Sequence, residues 1–166
     1  MRNSDWFWDW RAKKYDEQAQ VDEAYDKVIA SAKQYPTTDS TVLDYGCGTG
    51  VAAFKIASGV KEVHGIDTSE NMIALANKRA RERDVENVRF SQQTLFDQGF
   101  LIQDYDVILA FNILHLLEDA RRAVRRASTL LRTGGLLFPI RRALAKPEQC
   151  LGRCYLSRNP AVFEEA

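Results

Sequence analysis

The chain of 166 residues sets 23 lysines and arginines against 23 aspartates and glutamates, so no net field draws it to nucleic acid or to an acidic membrane surface. Its length suits one domain with a core of its own, and no apolar run approaches the roughly 20 residues of a membrane span. Met1-Arg2-Asn3-Ser4-Asp5 lacks a signal-peptide core, and Cys47, Cys150 and Cys154 are odd in number, which predicts a reduced, cytoplasmic setting; Cys150 and Cys154 have no His or second Cys pair beside them, so no metal is expected.

In chain order, Trp6, Phe7, Trp8 and Trp10 crowd the front, and Val21, Ala24, Tyr25, Val28, Ile29 and Ala32 recur at helical spacing. This predicts an amphipathic helix with an aromatic preface, ended by Pro36-Thr37-Thr38-Asp39-Ser40. Thr41-Val42-Leu43-Asp44-Tyr45 reads as a strand, Gly46-Cys47-Gly48-Thr49-Gly50 as a tight turn, and Val51 to Ala57 as a helix whose opening amides face whatever lies over the turn. A second apolar run, Glu62-Val63-His64-Gly65-Ile66, ends at Asp67. An acid closing the second strand of a βαβ unit can accept both hydroxyls of a ribose, so the pair of features specifies a nucleoside ligand. No Lys-Ser or Lys-Thr pair follows the glycines, which excludes a phosphate-binding loop of that kind. The spacing is G-x-G-x-G rather than G-x-G-x-x-G, and Asp44 just before it would repel a pyrophosphate yet suit a ligand carrying an ammonium. The bland alternative is an ordinary glycine turn beside a strand-ending Asp.

Val42-Leu43-Asp44-Tyr45-Gly46-Cys47-Gly48-Thr49-Gly50, followed by Val63-His64-Gly65-Ile66-Asp67-Thr68-Ser69-Glu70-Asn71-Met72-Ile73, resembles the first two motifs of class I S-adenosylmethionine-dependent methyltransferases of the small-molecule type, over roughly residues 6–140. The resemblance implies that Asp44 and the backbone of Gly46, Cys47, Gly48 and Gly50 hold the methionine end of the cofactor, that Asp67 takes the ribose diol, and that Thr68 and Met72 flank the adenine. Trp8-Asp9-Trp10-Arg11-Ala12-Lys13-Lys14-Tyr15-Asp16 is similar to a segment that precedes the core in many members, implying a lid on which Tyr15 meets the cofactor's carboxylate end. Aromatics merely packed on the sheet edge remain the alternative.

Ser69 to Arg83 is expected as the second core helix, capped by Thr68 or Ser69, with Met72, Ile73, Leu75, Ala76 and Ala80 buried and Lys78, Arg79, Arg81, Glu82 and Arg83 solvated. Val88-Arg89-Phe90-Ser91 reads as the third strand; where the resembled family commonly has an Asp for the adenine amino group, this chain has Gln93, then Thr94. Val107 to Phe111 is an apolar run such as a strand buried on both faces requires. The resemblance places Ala110, Phe111 and Asn112 on the ribose and methionine side, and leaves His115 as the histidine candidate for a general base, against a purely structural ring. A helix from Glu118 to Arg132 turns Arg121, Arg122, Arg125 and Arg126 to solvent; Thr133-Gly134-Gly135 stops it, and Leu136-Leu137-Phe138 begins a fifth strand that Pro139 interrupts.

The alternation is that of an α/β, doubly wound parallel sheet, with an N-terminal lid segment at 1–40, a cofactor-binding core at 41–140 and an irregular basic tail at 141–166. Residues 140–166 show neither strand alternation nor a helical stripe where the resembled family has further strands; the expectation is a frame-shifted or otherwise truncated ending. The fifth strand would then be a sheet edge, open to a second copy in a homodimer or to the tail folded back. The resemblance implies an S-adenosylmethionine-dependent methyltransferase acting on a small organic acceptor, with S-adenosylhomocysteine as product and no nucleic-acid or membrane partner. A non-catalytic module binding the same cofactor and a nicotinamide oxidoreductase are the alternatives.

Overall fold

Residues 23–100, 104–140 and 155–156 are described by a computed structural model of the chain. A helix α1 (Glu23–Ala32) precedes β1 (Thr41–Tyr45), α2 (Val51–Ala57), β2 (Glu62–Asp67), α3 (Glu70–Glu82), β3 (Val88–Gln92), β4 (Tyr105–Phe111), a 3-10 turn at Leu114–Leu116, α4 (Ala120–Leu130), β5 (Leu131–Ile140) and β6 (Tyr155–Leu156). The sheet order is β3-β2-β1-β4-β5-β6, with β1 to β5 parallel and β6 antiparallel on β5. Order therefore reverses between β1 and β4, and an open α/β sheet forms its ligand crevice where strands diverge.

Two apolar layers enclose the sheet. On one face Val28, Ile29 and Ala32 of α1 and Ala53 and Ile56 of α2 meet Val42, Val63, Val107 and Leu109. On the other, Ala123, Ala127 and Leu130 of α4 meet Leu43, Ile66, Tyr105 and Ile108. Since successive residues of a strand point to opposite faces, this division demands the continuous apolar runs of β1 and β4. Tyr25 of α1 lies edge-on to Phe111 at 5.9 Å, and Tyr35, just after the helix, lies against Phe138 at 5.1 Å.

Three expectations are corrected at the fifth strand. The helix ends at Leu130 rather than Arg132, because Leu131 turns to extended backbone and pairs at once with Tyr105. Thr133, Gly134 and Gly135 consequently lie within β5, where five steps from Leu131 to Leu136 accompany two from Tyr105 to Val107. The excess is absorbed in an irregularity with Gly134 at φ 82, and a Cβ added to Gly135 would come 2.9 Å from the Asp106 carbonyl. Nor does Pro139 interrupt the strand, for it aligns with Ala110 and Ile140 with Phe111. Among the described residues only β6 covers the outer side of β5, at Leu136 and Leu137, so a residue lacking an N–H is tolerated beside that edge. The remainder of 141–166, with Cys150 and Cys154, lies outside the described residues, as does the segment 1–22 with its aromatics.

Candidate functional site

The turn after β1 is built on left-handed backbone: Gly46, Gly48 and Gly50 take φ of 72, 52 and 83. Its amides at Gly46 and Cys47 both donate to the Ile66 carbonyl, at 2.8 and 3.0 Å, and Gly50 donates to Cys47 at 3.0 Å. The turn is thereby tied to the end of β2, which delivers Asp67 beside it. Asp67 accepts from the Gly48 amide through Oδ2 at 2.9 Å and from the Ser69 amide through Oδ1 at 3.0 Å. Ser69 in turn caps α3 by accepting from Met72 N at 3.2 Å, which settles the cap between Thr68 and Ser69.

Asp44 is the second acid at the turn, with Gly65 and Leu109 as its neighbours across the strands. It is 2% exposed; the Ala53 amide near the start of α2 donates to its carboxyl, while Oδ2 has no hydrogen-bond partner among the described residues. Burial pushes its pKa up to about 7, and the charge of Asp67 adds to that, against the Ala53 amide. A buried carboxylate oxygen without a donor is costly, so the site fits a group that brings one, and a cation best of all. Cys47, inside the turn, is buried; its pKa is raised well above the usual value by burial, then by Asp44 and Asp67, so it stays a thiol.

Asn112 closes β4 with φ 58, a left-handed conformation uncommon outside glycine, and the next residue, Ile113, lies against Gly46: a Cβ added there would come within 2.8 Å of Ile113 Cβ. The turns after β1 and β4 are thus in contact at the point where strand order reverses. Ala110 and Phe111 are buried at the tip of β4; His115 is exposed on the 3-10 turn beyond. Gln93 follows β3 with its amide on the Asp67 carbonyl at 3.0 Å, and Thr94 receives the Asp97 carboxylate on its amide at 2.7 Å. Asp44, Asp67, Gln93 and the glycine turn therefore share one end of the sheet with Asn112. Tyr15 lies outside the described residues.

Some residues of this region carried no role in the sequence. Gly65 lies under the Phe90 ring, where an added Cβ would meet Phe90 Cδ1 at 2.4 Å, and the same ring would come within 2.7 Å of a Cβ at Gly50. A glycine inside a strand is the available signal of close approach. The arginines of α4 are not simply solvated, either. Arg126 donates through Nε to Leu95 O at 3.0 Å and through Nη2 to Phe100 O at 3.4 Å, and Arg122 lies 4.5 Å from the Phe96 ring centroid, so both fasten the β3–β4 loop. On α3, Arg79 reaches the Thr49 carbonyl at 3.5 Å, and Arg83, which caps the helix C-terminus, stacks 4.8 Å over Phe54.

The model of a methyltransferase domain family matches residues 36–146. The chain is 36% identical over 94 residues to the uncharacterized methyltransferase YcgJ of Bacillus subtilis, covering 57% of this chain and 37% of that one. It is 35% identical over 103 residues to the aklanonic acid methyltransferase DauC of a Streptomyces species, covering 60% and 47%. It thus spans less than half the length of these curated relatives. The crystal structure of YcgJ superposes with a TM-score of 0.63 at 30% identity, over 66% of this chain and 48% of that one. The N-methyltransferase NodS of Bradyrhizobium japonicum, in complex with S-adenosylhomocysteine, shares the fold at a TM-score of 0.62 and 21% identity, over 72% and 63%.

Proposed function

The chain belongs to the methyltransferase domain family, and from that premise we propose that it moves the methyl group of S-adenosylmethionine to a small organic acceptor and releases S-adenosylhomocysteine. The observation that carries this reading is the donorless Oδ2 of buried Asp44 beside a glycine turn. A pyrophosphate would be repelled there, whereas an ammonium provides the missing partner. Asp44 with Gly46, Cys47, Gly48 and Gly50 would hold the methionine end, Asp67 the ribose, Thr68, Met72, Gln93 and Thr94 the base, and Ala110, Phe111 and Asn112 the opposite wall, with Tyr15 over the carboxylate end.

When bound, the cofactor supplies a methyl group already activated on a sulfonium, so transfer is a displacement at carbon. The work left to the chain is to align the acceptor and exclude water. His115, exposed on its turn, can take a proton from an alcohol or ammonium acceptor and pass it to solvent. The relative DauC, an aklanonic acid methyltransferase, agrees with a small acceptor. A reduced cytoplasmic setting suits the unpaired thiol of Cys47, and the stretch of β5 beyond Leu137, which β6 leaves uncovered among the described residues, is the surface along which two copies would pair.

The test is a thermal melt with S-adenosylhomocysteine and with NAD, repeated on Asp67→Ala. The homocysteine nucleoside should raise the melting temperature, and Asp67→Ala should cost about 1.5–3 kcal/mol, roughly ten- to hundredfold in affinity. A shift with NAD alone would overturn the assignment. Binding without turnover on any acceptor would retract the transfer step and keep the pocket.

A further inference from the structure

A line of hydrogen bonds crosses the α4 face of the sheet and ends beside Asp67. The Tyr105 hydroxyl on β4 lies 2.9 Å from His64 Nδ1 on β2, His64 Nε2 lies 2.8 Å from Ser91 Oγ on β3, and Ser91 Oγ donates to Gln93 Oε1 at 2.7 Å. The Gln93 carbonyl oxygen can only accept, so the Ser91 hydroxyl gives its proton there and takes a hydrogen bond from His64 Nε2. The imidazole then carries its proton on Nε2, and Nδ1 accepts from the hydroxyl of Tyr105, which is 2% exposed. Reversing the order would set the serine oxygen against the Gln93 oxygen with no proton between them. Burial lowers the pKa of His64 to about 4, with the charge of Arg89 acting the same way, so the ring keeps a single proton at neutral pH.

We propose that the run Tyr105, His64, Ser91 positions the Gln93 amide with its oxygen turned inward and its nitrogen outward, so that this chain meets the cofactor's base with a hydrogen-bond donor. The proposal rests on the nucleoside reading of the pocket given above. Gln93 stands at the rim, its backbone N–H donating to the Asp67 carbonyl, and its side-chain nitrogen has no partner among the described residues. A donor there selects a ring nitrogen of adenine and rejects the 6-amino group, the opposite choice from a carboxylate. Because His64 and Ser91 each accept one bond and donate another, the bonds strengthen one another and the amide cannot turn over without reversing the line. Ser91 and His64 are positioning residues: Ser91 touches Gln93, and His64 acts on it through Ser91.

Two measurements decide it. Long-range nitrogen NMR of the unliganded chain should show His64 protonated on Nε2, with Nδ1 as acceptor; protonation on Nδ1 would overturn the order of the line. Calorimetry should then compare S-adenosylhomocysteine with S-inosylhomocysteine, which has a carbonyl in place of the 6-amino group. In Ser91→Ala and in Gln93→Glu an oxygen can face that amino group, so each should raise the preference for the adenine ligand about fivefold or more, while Ser91→Thr keeps the original ratio within about twofold. A ratio that moves less than about twofold in both Ser91→Ala and Gln93→Glu would sink the proposal. Failure of the unaltered chain to bind S-adenosylhomocysteine would instead sink the reading of the pocket, and the tautomer of His64 would still decide the line.

Discussion

Asp44 is held in an environment that a cationic ligand improves. With its pKa raised from 3.8 to about 7, the carboxyl is largely protonated in mildly acidic solution, and an ammonium beside it favours the ionised form. Binding of S-adenosylhomocysteine should therefore strengthen as pH rises toward 7, by up to about tenfold per pH unit, and level off above it. Calorimetry at pH 6 in two buffers of different ionisation enthalpy should report proton release on binding, and Asp44→Asn should abolish it. Gly65 makes a different kind of demand. An added Cβ would lie 2.4 Å from Phe90, so Gly65→Ala should cost about 1–3 kcal/mol by denaturant unfolding. Because the cost comes from one ring, the double change Gly65→Ala with Phe90→Ala should be less than additive.

At the scale of elements, the pocket depends on how helices and loops are moored. The cap of α3 and the second acid are one device, since Asp67 holds the Ser69 amide while Ser69 holds Met72. Ser69→Ala should lower stability by about 1 kcal/mol in chemical denaturation. The β3–β4 loop is moored by Arg126, whose Nε and Nη2 take the carbonyls of Leu95 and Phe100. Arg126→Ala should speed amide exchange within residues 95–100 and leave β1 and β2 protected; unchanged exchange in the loop would show that Leu95, fully buried, holds it unaided. The glycine pair of β5 shows why element boundaries were misplaced: Gly134-Gly135 has the composition of a helix stop, yet Leu131 had already paired with Tyr105, and pairing outweighs a local turn preference.

For the whole molecule, two buried groups act on stability in opposite directions. Asp44, raised to about 7, binds its proton more tightly folded than unfolded, so stability falls as pH climbs from about 4 to 7, by an amount on the order of 4 kcal/mol. His64, lowered from 6.5 to about 4, is less protonated when folded, so stability rises across roughly the same window by a comparable amount. The two nearly cancel. Asp44→Asn should unmask a rise in stability from pH 4 to 6.5, and His64→Gln a fall from pH 4 to 7, both measured as unfolding free energies. The strands β1, β2 and β4, the glycine turn and the two acids were legible in the sequence because each is a local pattern: apolar runs, glycines that need positive φ, and an acid at a strand end. The placing of Phe90 over Gly50 and Gly65, Ile113 on Gly46, Arg126 on the β3–β4 loop, and the hydrogen-bond line into Gln93 was not legible. Those contacts join residues far apart in sequence, and they exist only once the crossovers have set the register of parallel strands. Sequence alone thus determined the layered α/β plan and the chemistry gathered at its first turn; the tertiary structure decided which atoms face one another there, because pattern fixes the face on which a side chain lies and only packing fixes its partner.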